Sequence, residues 1–362
     1  MEKLIKTASK FDCKGTVVKV ERYGCGHIND TYLVTTVGGP RYLMQRINHK
    51  VFKNVKALME NIVNITEYIL EETKKNNGNL NTVMVVIPTT SGEKYLEEDG
   101  NFYRMYNFIE GALSIERRAT PEEFRLSAVG FGRFQKLLDN FPAEKLNETI
   151  KDFHNTVVRY DNFLKALEED PLDRKKDCEE EINFFKVRKH YCGRIVNMLA
   201  SGEIPLRVTH NDTKLNNVLI DLDAMVASTV IDLDTVMSGS IVYDFGDSIR
   251  SGATTGAEDE KDLSKVNFSL ELFEAYAEGF ISEVGERLTE TEKEQLAFGA
   301  ILMTFECGMR FLTDHINGDT YFRIHREGHN LDRARTQIKL VQDMEKNLDK
   351  MQAIVRKYCS DR

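Results

Sequence analysis

Short β-rich segments separated by turn residues fill the first third of the chain. They span residues 16–20, 31–35, 42–47, 83–87, 94–97 and 102–108. Between the third and the fourth of them, residues 53–75 place apolar side chains at almost every third or fourth position. Runs of β-branched and aromatic residues bounded by turns predict strands, whereas a spacing of three or four predicts an amphipathic helix. We therefore predict a small antiparallel sheet with one long helix.

From about residue 112 the apolar spacing becomes that of helices. Thr120 and Pro121 predict where the first of these helices begins, because threonine caps a helix and proline suits its first position. An apolar stripe through residues 338–355 is interpreted as core packing. The exception is the segment 206–247, where short apolar runs alternate with polar clusters. Loops on a rigid scaffold often carry function, so we expect the chemistry in this segment.

The two patterns divide the chain into two parts. With 362 residues, the chain exceeds the roughly 250 to 300 residues at which a single hydrophobic core stops growing. We therefore predict an α+β protein with two lobes. The sheet and its long helix form a small N-terminal lobe over residues 1–107, and residues 108–362 form a larger, mostly helical lobe. A cleft between the lobes is the expected place for a ligand.

Composition and charge exclude several classes of protein. Hydrophobic residues make up 41% and charged residues 30% of the sequence, which is typical of a globular protein and not of a disordered one. The net charge of −9 and the lack of basic blocks exclude a nucleic-acid partner, whose phosphates require a basic surface. No apolar run approaches the ~20 residues of a membrane span, so we expect a cytoplasmic protein without membrane contact. The six cysteines are scattered without a C-x-x-C pair, which indicates reduced thiols.

The strongest chemical signal lies in the loop that follows residue 208. Asp212 and Asn217 stand five positions apart between two apolar runs, and Asp232 follows a third run, 15 positions after Asn217. In phosphoryl transfer by kinases, an Asp in such a loop accepts the proton of the attacking hydroxyl and an Asn at this offset binds a metal. A second Asp after a strand completes the metal site. The pattern supplies a base near the nucleophile and oxygen ligands for a hard cation.

Two other interpretations of these residues are weaker. Asp and Asn often cap turns and strand ends, but capping alone does not predict two ordered motifs at this separation. A hydrolase with paired carboxylates requires two facing acids and gives no reason for Asn217 at its offset. The pattern favours metal-dependent phosphoryl transfer.

The N-terminal lobe offers a candidate phosphate loop. The stretch 23–32 joins two predicted strands through Gly24 and Gly26, with His27 and Asn29 beside them. Backbone amides of such a glycine loop are expected to cover phosphates. A plain hairpin turn explains the same glycines equally well, since the spacing is not G-x-G-x-x-G and no helix follows.

The cation and the hinge of the nucleotide site are less clearly marked. Many kinases place a phosphate-pairing lysine on a strand equivalent to residues 42–46, and this chain has no lysine there. Arg46 is the candidate for this cation. Gln45 occupies the other possible register of the strand, and an Arg46 that faces solvent is the competing interpretation. Asn107 and Ile109, where the last strand leads towards the helices, are expected to form the hinge that faces the adenine.

Three motifs resemble those of the aminoglycoside-phosphotransferase and choline-kinase superfamily. They are Val208–Asn217 (VTHNDTKLNN), Ile231–Thr235 (IDLDT) and Tyr243–Arg250 (YDFGDSIR). Over nearly the whole chain the sequence is similar, more narrowly, to the N-acetylhexosamine 1-kinases. The resemblance implies a bilobal protein-kinase-like fold with a nucleotide-binding N-terminal lobe and a catalytic, sugar-binding C-terminal lobe. It also implies that Asp212 is the catalytic base and that Asn217 and Asp232 hold magnesium, while Asp244 braces the catalytic loop.

The resemblance extends to the segment 306–331 and implies a sugar site there. The residues expected to contact the sugar are Asp212, Asp234, Arg310, Asp314 and Tyr321. Asp234 is close enough in sequence to Asp232 to serve the metal instead. For Arg310, a buried ion pair with Glu306 or Asp314 at helical spacing is the competing interpretation.

The expected activity is ATP-dependent phosphorylation of the anomeric hydroxyl of N-acetylglucosamine or N-acetylgalactosamine, with Mg²⁺ as cofactor. The expected partners are ATP and a small-molecule sugar, with neither nucleic acid nor membrane, in a monomer or weak dimer. Two alternatives stay open: a kinase for another small alcohol, such as an aminoglycoside or choline, and a non-catalytic nucleotide-binding relative. The chain has no Trp for a choline cage, and a dead kinase would have lost one of the three motif residues.

Overall fold

The computed structural model describes residues 2–24 and 28–360. The chain folds into two compact units. The first comprises Met1–Leu113 with two later segments, Glu144–Ile150 and Ile231–Met237, and the second comprises the remainder. The division predicted between residues 107 and 108 does not anticipate the two later segments. Local patterns do not carry this information, because a short loop gives no sign of the unit against which it packs.

The first unit is a small antiparallel sheet with helices. Its elements are α1 (Glu2–Ala8), β1 (Thr16–Arg22), β2 (Asp30–Val37), β3 (Tyr42–Ile47), α2 (Val55–Lys75), β4 (Leu96–Glu98) and β5 (Asn101–Asn107). The strands pair in the order β1-β2-β3-β5-β4. Helix α2 begins after Asn54, whose side chain accepts the Ala57 N–H and so caps the helix. The predicted sheet and long helix are confirmed.

Residues 83–87 differ from the prediction, since they run beside β5 without forming a regular strand. One isolated bridge joins them to β5. The Asn107 side chain accepts the Val85 N–H at 2.6 Å and donates to the Val83 carbonyl at 2.9 Å. Because a side chain takes these two backbone groups, the regular ladder is interrupted here.

The two faces of this sheet differ in character. One face packs on a hydrophobic core formed by Ala8, Phe11, Val17, Val20, Val34, Tyr42, Met44, Tyr103 and Met105. On the other face, Gln45 of β3 lies directly opposite Arg104 of β5. Cross-strand partners point to the same side of a sheet, so these two polar side chains meet.

The second unit is mostly helical. Its elements, with β6 and β10 at its borders, are β6 (Leu113–Ser114), α3 (Pro121–Leu137), α4 (Thr156–Glu169), α5 (Glu179–Val187), α6 (Gly193–Ser201), β7 (Arg207–Thr209), β8 (Val218–Asp221), β9 (Val226–Val230), β10 (Met237–Gly239), α7 (Ile241–Gly252), α8 (Leu270–Val284), α9 (Glu290–Ile316) and α10 (His329–Ser360). Helix α3 begins as predicted. Thr120 and Glu123 cap it reciprocally, each side chain accepting the other residue's N–H. Strands β8 and β9 form an antiparallel hairpin.

Helix α9 is the core element of the second unit. It packs against α4, α7 and α10. By length and composition it is apolar enough to cross a membrane, but 83% of its apolar stretch is buried inside the protein. The stripe predicted over residues 338–355 belongs to α10, where Val341, Met344 and Met351 are fully buried. Both apolar stretches are therefore core packing, as predicted for α10.

Candidate active site

The predicted catalytic loop connects β7 to β8 in the second unit. Asn211 lies in the left-handed region of backbone space, with φ = 64°. Asn tolerates this region better than most residues, but the conformation still costs free energy. The preceding His210 is fully buried, with its ring edge-on to Phe131 at 5.4 Å and to Phe134 at 5.8 Å. The chain is therefore anchored and sharply turned immediately before Asp212.

Asp244 of α7 holds the backbone of this loop. Its carboxylate accepts the N–H groups of His210 and Asn211, both at 2.8 Å, and the side-chain amide of Gln135 at 2.6 Å. Its main-chain carbonyl accepts the Thr213 hydroxyl at 2.6 Å. Burial raises the pKa of Asp244, although the same hydrogen bonds favour its ionised form. Asp244 braces the loop, as the resemblance implied.

A second acid of α7, Asp247, supports the same loop. It accepts the Thr213 N–H at 2.9 Å and the Nε of Arg250 at 2.8 Å. Burial opposes its ionisation, but the charges of Arg250 and Lys214 hold the pKa of Asp247 below its ordinary value. Sequence reasoning gave Asp247 no role. Its spacing of three from Asp244 does place both acids on one face of a helix, which is a signal that the sequence carries.

Asp212 itself has two polar neighbours. The ammonium of Lys214 lies 2.8 Å from Asp212 Oδ1. The side-chain amide of Asn217 donates to Asp212 Oδ2 at 3.1 Å and to the Asp212 carbonyl at 2.8 Å. The charge of Asp212 raises the pKa of Lys214, so the ammonium stays protonated at neutral pH. Sequence reasoning missed Lys214, although its place two positions after Asp212 was visible.

The Asp212 carboxylate is oriented and partly open. Its side chain is 28% exposed, in contrast to the buried acids Asp244 and Asp247 that support the loop. A carboxylate held between a fixed cation and an amide, with solvent access, is able to accept a proton from a ligand hydroxyl. The assignment of Asp212 as the base stays a prediction.

The two predicted magnesium ligands are an amide and a carboxylate. Asn217 is buried, and donation of its NH₂ group to Asp212 turns its Oδ1 away from Asp212. Asp232, in the first unit, has φ = 61°, so each of the two motifs contains a non-glycine residue in the left-handed region. Such backbone strain concentrates at functional sites. The donor set fits Mg²⁺, which needs only one or two protein ligands when phosphates supply the others.

A dedicated metal cage is not part of this arrangement. Among residues 2–24 and 28–360, no three His, Cys, Asp or Glu side chains are grouped to hold a metal ion. Such a grouping does not include Asn217, because asparagine is not one of these four residue types. Asp232 belongs to the first unit, whereas Asn217 belongs to the second. The assignment of both as metal ligands stays a prediction.

Asp234 is engaged within the first unit. Its Oδ1 forms an ion pair with the Arg104 guanidinium, and its Oδ2 accepts the side-chain amide of Asn29 at 2.5 Å. Arg104 in turn donates its Nε to Gln45 Oε1 at 2.9 Å. Asp234 is 4% exposed and Arg104 is 1% exposed. The predicted contact of Asp234 with a sugar or metal stays a prediction. Sequence reasoning missed Arg104, because its partners come from a neighbouring strand and from a segment 130 positions later in the chain.

The other predicted nucleotide residues are spread over the first unit. Arg46 lies on β3, pairs with Asp30 through its Nε at 2.7 Å, and has a side chain that is 47% exposed. Gly24 has φ = 70° and therefore suits the turn after β1. Gly26 and His27 lie outside the described residues.

At the predicted hinge, side chains are already occupied or buried. The Asn107 amide binds the backbone of residues 83 and 85, as described above. Ile109 is 6% exposed. Recognition of an adenine would therefore use the backbone of this segment, and the hinge stays a prediction.

Arg310, predicted to bind the sugar, lies within a frame of three aromatic rings. Its guanidinium carbon is 5.3 Å from the ring centre of Phe153, 5.9 Å from that of Tyr321 and 5.5 Å from that of Phe322. Glu306, its candidate ion-pair partner, binds His154 and Thr156 instead. Among the described residues, Arg310 forms no ion pair with Glu306 or Asp314, and three aromatic rings surround its guanidinium.

Asp314 supports the segment that carries Tyr321. Its carboxylate accepts the N–H groups of Thr320, Tyr321 and Phe322 at 2.9, 2.8 and 2.9 Å. It also accepts the side-chain amide of Asn330 at 2.9 Å, and it is buried. The Tyr321 side chain is 65% exposed. Asp314 therefore positions Tyr321, and a direct contact of Asp314 with a sugar stays a prediction.

A cavity of about 610 Å³ adjoins the catalytic loop in the second unit. It is bounded by Lys214, Leu215 and Asn216, by the end of α7 and by one face of α10. Its charged lining residues are Glu116, Arg117, Arg118, Lys214, Arg250 and Glu258. Gln337 lines it as well, is 2% exposed, and has an Oε1 atom without a hydrogen-bond partner among the described residues. The cavity wall therefore carries four cationic and two acidic side chains, together with one hydrogen-bond acceptor, Gln337 Oε1, that has no partner among the described residues.

Solved structures share this fold over almost their whole length. Choline kinase from Cryptosporidium parvum Iowa II matches with a TM-score of 0.62 at 14% identity, over 98% of this chain and 97% of that one. Amicoumacin kinase in complex with AMP-PNP, Ca²⁺ and its ligand matches with a TM-score of 0.60 at 13% identity, over 93% and 92%. Spectinomycin phosphotransferase in complex with ADP and spectinomycin matches with a TM-score of 0.57 at 11% identity, over 96% and 98%. At these identities the likeness shows a kinase-like α+β fold.

The sequence itself also matches a family. Residues 19–278 match the family described as phosphotransferase enzyme family, APH. This stretch contains the catalytic loop, the Asp232 turn and the brace on α7, and it covers well over half of the chain. The chain therefore belongs to the phosphotransferase enzyme family.

Proposed function

We propose that this phosphotransferase transfers the γ-phosphoryl group of ATP to the anomeric hydroxyl of an N-acetylhexosamine and releases the sugar 1-phosphate. The family and the fold support a kinase-type phosphotransferase. The identity of the acceptor and the roles of the individual residues are proposed. One observation carries it. The loop braced by Asp244 presents Asp212 between Lys214 and Asn217, the arrangement that proton removal from a hydroxyl and phosphoryl transfer require.

Asp212 acts as the base in this proposal. As the sugar oxygen bonds to the γ-phosphorus, its proton passes to the Asp212 carboxylate, and the bond from phosphorus to the bridging oxygen of ADP breaks with its electron pair on ADP. The hemiacetal hydroxyl of a reducing sugar is more acidic than a plain alcohol, so a carboxylate suffices. Lys214, 2.8 Å from Asp212, adds a fixed positive charge beside the transferring group.

Asn217 and Asp232 would hold magnesium, through the Asn217 amide oxygen and the Asp232 carboxylate. When bound, the ion neutralises the charge of the nucleotide phosphates. Asn217 also touches the base through its NH₂ group, so one loop orients the base and presents a metal ligand. This arrangement fixes the distance between the two functions before any ligand binds.

On the acceptor side, we assign the sugar to Arg310 and Tyr321. The guanidinium offers several hydrogen-bond donors to sugar hydroxyls or to the acetyl carbonyl. The exposed Tyr321 ring offers an apolar face against a pyranose ring, and Asp314 accepts the backbone N–H of Tyr321 and so holds the segment that carries the ring. These assignments rest on the resemblance together with the aromatic frame around Arg310.

A kinase for a cationic alcohol is the second candidate, because the solved structures include a choline kinase and a spectinomycin phosphotransferase. The cavity beside the catalytic loop favours the first candidate. The buried Gln337 Oε1 lines it without a hydrogen-bond partner among the described residues, and it suits the N–H of an acetamido group or a hydroxyl. An N-acetylhexosamine offers both kinds of donor.

The proposal is tested by measuring ADP release with MgATP and a panel of acceptors. The panel contains N-acetylglucosamine, N-acetylgalactosamine, glucosamine, choline and spectinomycin. We expect the two N-acetylhexosamines to exceed glucosamine by roughly 100-fold or more in kcat/KM, because glucosamine lacks the acetyl carbonyl that we assign to the Arg310 guanidinium. Turnover of choline or spectinomycin without turnover of either N-acetylhexosamine would refute the proposed acceptor.

A further inference from the structure

The first unit lacks the strand lysine that many kinases direct at the nucleotide phosphates, but it contains another buried cation. Residues 42–47 of β3 include no lysine, and Gln45 occupies one of the two possible registers. Directly opposite Gln45 on β5 stands Arg104. Because cross-strand partners point to the same side, the Arg104 guanidinium reaches the space in front of Gln45.

The contacts of Arg104 fix its guanidinium on two sides. Its Nε donates to Gln45 Oε1 at 2.9 Å, and its NH1 pairs with Asp234 Oδ1. The Tyr106 ring centre lies 5.5 Å from the guanidinium carbon. The side chain is 1% exposed, so a full positive charge is buried inside the first unit. Burying an arginine is costly unless each donor finds a partner, which indicates a specific use.

The charge acts on the turn that carries the predicted metal ligand. Asp234, the ion-pair partner, stands two positions after Asp232, and Asn29 holds the other Asp234 oxygen at 2.5 Å. The Arg104 guanidinium pairs with Asp234 Oδ1, so it is bound directly to this turn. Arg104 therefore fixes this turn and places its positive charge against it.

Arg46, the other arginine of this strand region, is placed differently. It pairs with Asp30 of β2, which also binds Arg22 of β1. Its side chain is 47% exposed, against 1% for the whole of Arg104. An exposed pair of this kind is screened by water and contributes little to a fixed electrostatic field.

We propose that Arg104 is the cation of the nucleotide side, a positioning residue that takes the role of the missing strand lysine from the neighbouring strand. It holds the Asp232 turn through Asp234, and its buried positive charge contributes to the electrostatic field in which the phosphates of MgATP bind. This inference rests on the proposed function, because it presupposes that the first unit binds a nucleotide.

The proposal is tested by moving the charge to the neighbouring strand. In Arg104→Met, the cation is lost and Asp234 is left as an unpaired buried acid. In Gln45→Lys with Arg104→Met, an ammonium group enters from the opposite register position. In Arg104→Met with Asp234→Asn, the site is electrically balanced again without a cation. These two double variants carry the test if the single variant fails to fold.

Affinity for MgADP by calorimetry and the KM values for MgATP and acceptor are the measurements. We expect both Arg104→Met and the Arg104→Met, Asp234→Asn double variant to bind MgADP and MgATP about 10- to 100-fold more weakly than the wild type. This is the loss associated with one charged hydrogen-bonded partner. The acceptor KM should stay unchanged, and Gln45→Lys should restore most of the lost nucleotide affinity. Arg22→Met, which removes the other arginine bound to Asp30, is the matched control and should behave as the wild type.

Three results would overturn the proposal. The first is a folded Arg104→Met, Asp234→Asn variant that binds MgADP as tightly as the wild type. The second is a folded Gln45→Lys, Arg104→Met variant that recovers stability but no nucleotide affinity. The third is a loss of affinity in Arg46→Met that equals or exceeds the loss at Arg104. Because MgADP binding needs no acceptor, a wrong sugar assignment leaves this test intact.

Discussion

Single residues of the catalytic loop carry most of the proposed chemistry, and Asp212 carries the largest share. Its carboxylate is partly open, while Asp244 and Asp247 are buried and bind backbone N–H groups. Of these three acids, one is assigned a chemical role and the other two support the backbone of the loop. Burial and hydrogen-bond partners make this distinction, and residue type does not.

Replacing Asp212 by Asn should remove the base and keep the shape of the loop. We expect kcat to fall by about 10²- to 10⁴-fold, the usual contribution of a general base, with little change in MgADP affinity. Steady-state kinetics and calorimetry measure the two quantities. Asp221→Asn, in β8 and outside the loop, is a suitable control. If kcat of the Asp212→Asn enzyme stays within a few-fold of the wild type, the base is a different group.

Gln337 tests whether the cavity admits the acceptor. Gln337→Leu removes the unused acceptor atom and keeps much of the volume, so the KM for N-acetylglucosamine should rise about tenfold, the value of one hydrogen bond to a buried group. The KM for MgATP should not change. Gln352→Leu, on the same helix and outside the cavity lining, should leave both constants unchanged. Equal effects of the two substitutions would exclude the cavity as an acceptor site.

At this scale, the sequence predicts residues whose signal is local. Asp212 and Asn217 are predicted because their offset is short and chemically specific, and the structure places the two side chains in contact. Arg104 and Gln337 were not found, since their roles depend on a partner across the sheet and on a cavity wall built by distant segments. Asp314 was matched to a sugar position, whereas its hydrogen bonds serve residues 320–322.

Whole elements were predicted where periodicity and end signals agree. Helix α3 is an example, because Thr120 and Pro121 mark its start and the capping box forms there. The strand expected at residues 83–87 failed as a regular element, because one side chain, Asn107, takes two of its backbone groups. A β-rich sequence pattern gives no sign of such competition.

The start of α3 provides a pH-dependent prediction. Arg117 and the Thr120 hydrogen bonds lower the pKa of Glu123 to about 2, from an ordinary value of 4.5. Since the folded-state pKa is depressed, the stabilisation is present above pH 4.5, declines as the pH falls below it, and is lost as the pH passes through about 2.

Glu123→Ala should therefore lower the free energy of unfolding by about 0.5–2 kcal/mol at pH 7, the usual value of a helix cap. The difference from the wild type should shrink steadily between pH 5 and pH 3. Urea denaturation at several pH values measures both effects. Glu122→Ala, one position earlier and more exposed, is the control. A difference that is constant over this pH range would show that the Glu123 charge does not contribute.

On the scale of the whole molecule, the division into a small sheet unit and a large helical unit follows from chain length and from the change of periodicity near residue 112. The assignment of residues 231–237 to the first unit does not follow from either, because this short segment is separated from the sheet by more than 100 residues in the sequence. The consequence is functional. The two predicted magnesium ligands belong to different units, Asn217 to the second and Asp232 to the first.

Asp232→Asn should therefore weaken the coupling between metal and nucleotide. In the wild type, we expect ADP to raise the melting temperature more with Mg²⁺ than without it, because a ligand that binds only the folded state stabilises it. In Asp232→Asn this magnesium-dependent increment should be lost, while the melting temperature without ligands changes little. Thermal melts at fixed ADP with and without Mg²⁺ measure it. A full increment in the variant would remove Asp232 from the metal site.

The most direct test of the central claim is phosphorus NMR of the product formed from MgATP and N-acetylglucosamine. The account predicts ADP and a single new sugar phosphate whose phosphorus couples to the anomeric proton, formed by the wild type and not by Asp212→Asn. A product phosphorylated at the 6-hydroxyl would contradict the proposed acceptor atom. The absence of any phosphorylated sugar, with turnover of a cationic alcohol instead, would contradict the proposed acceptor class.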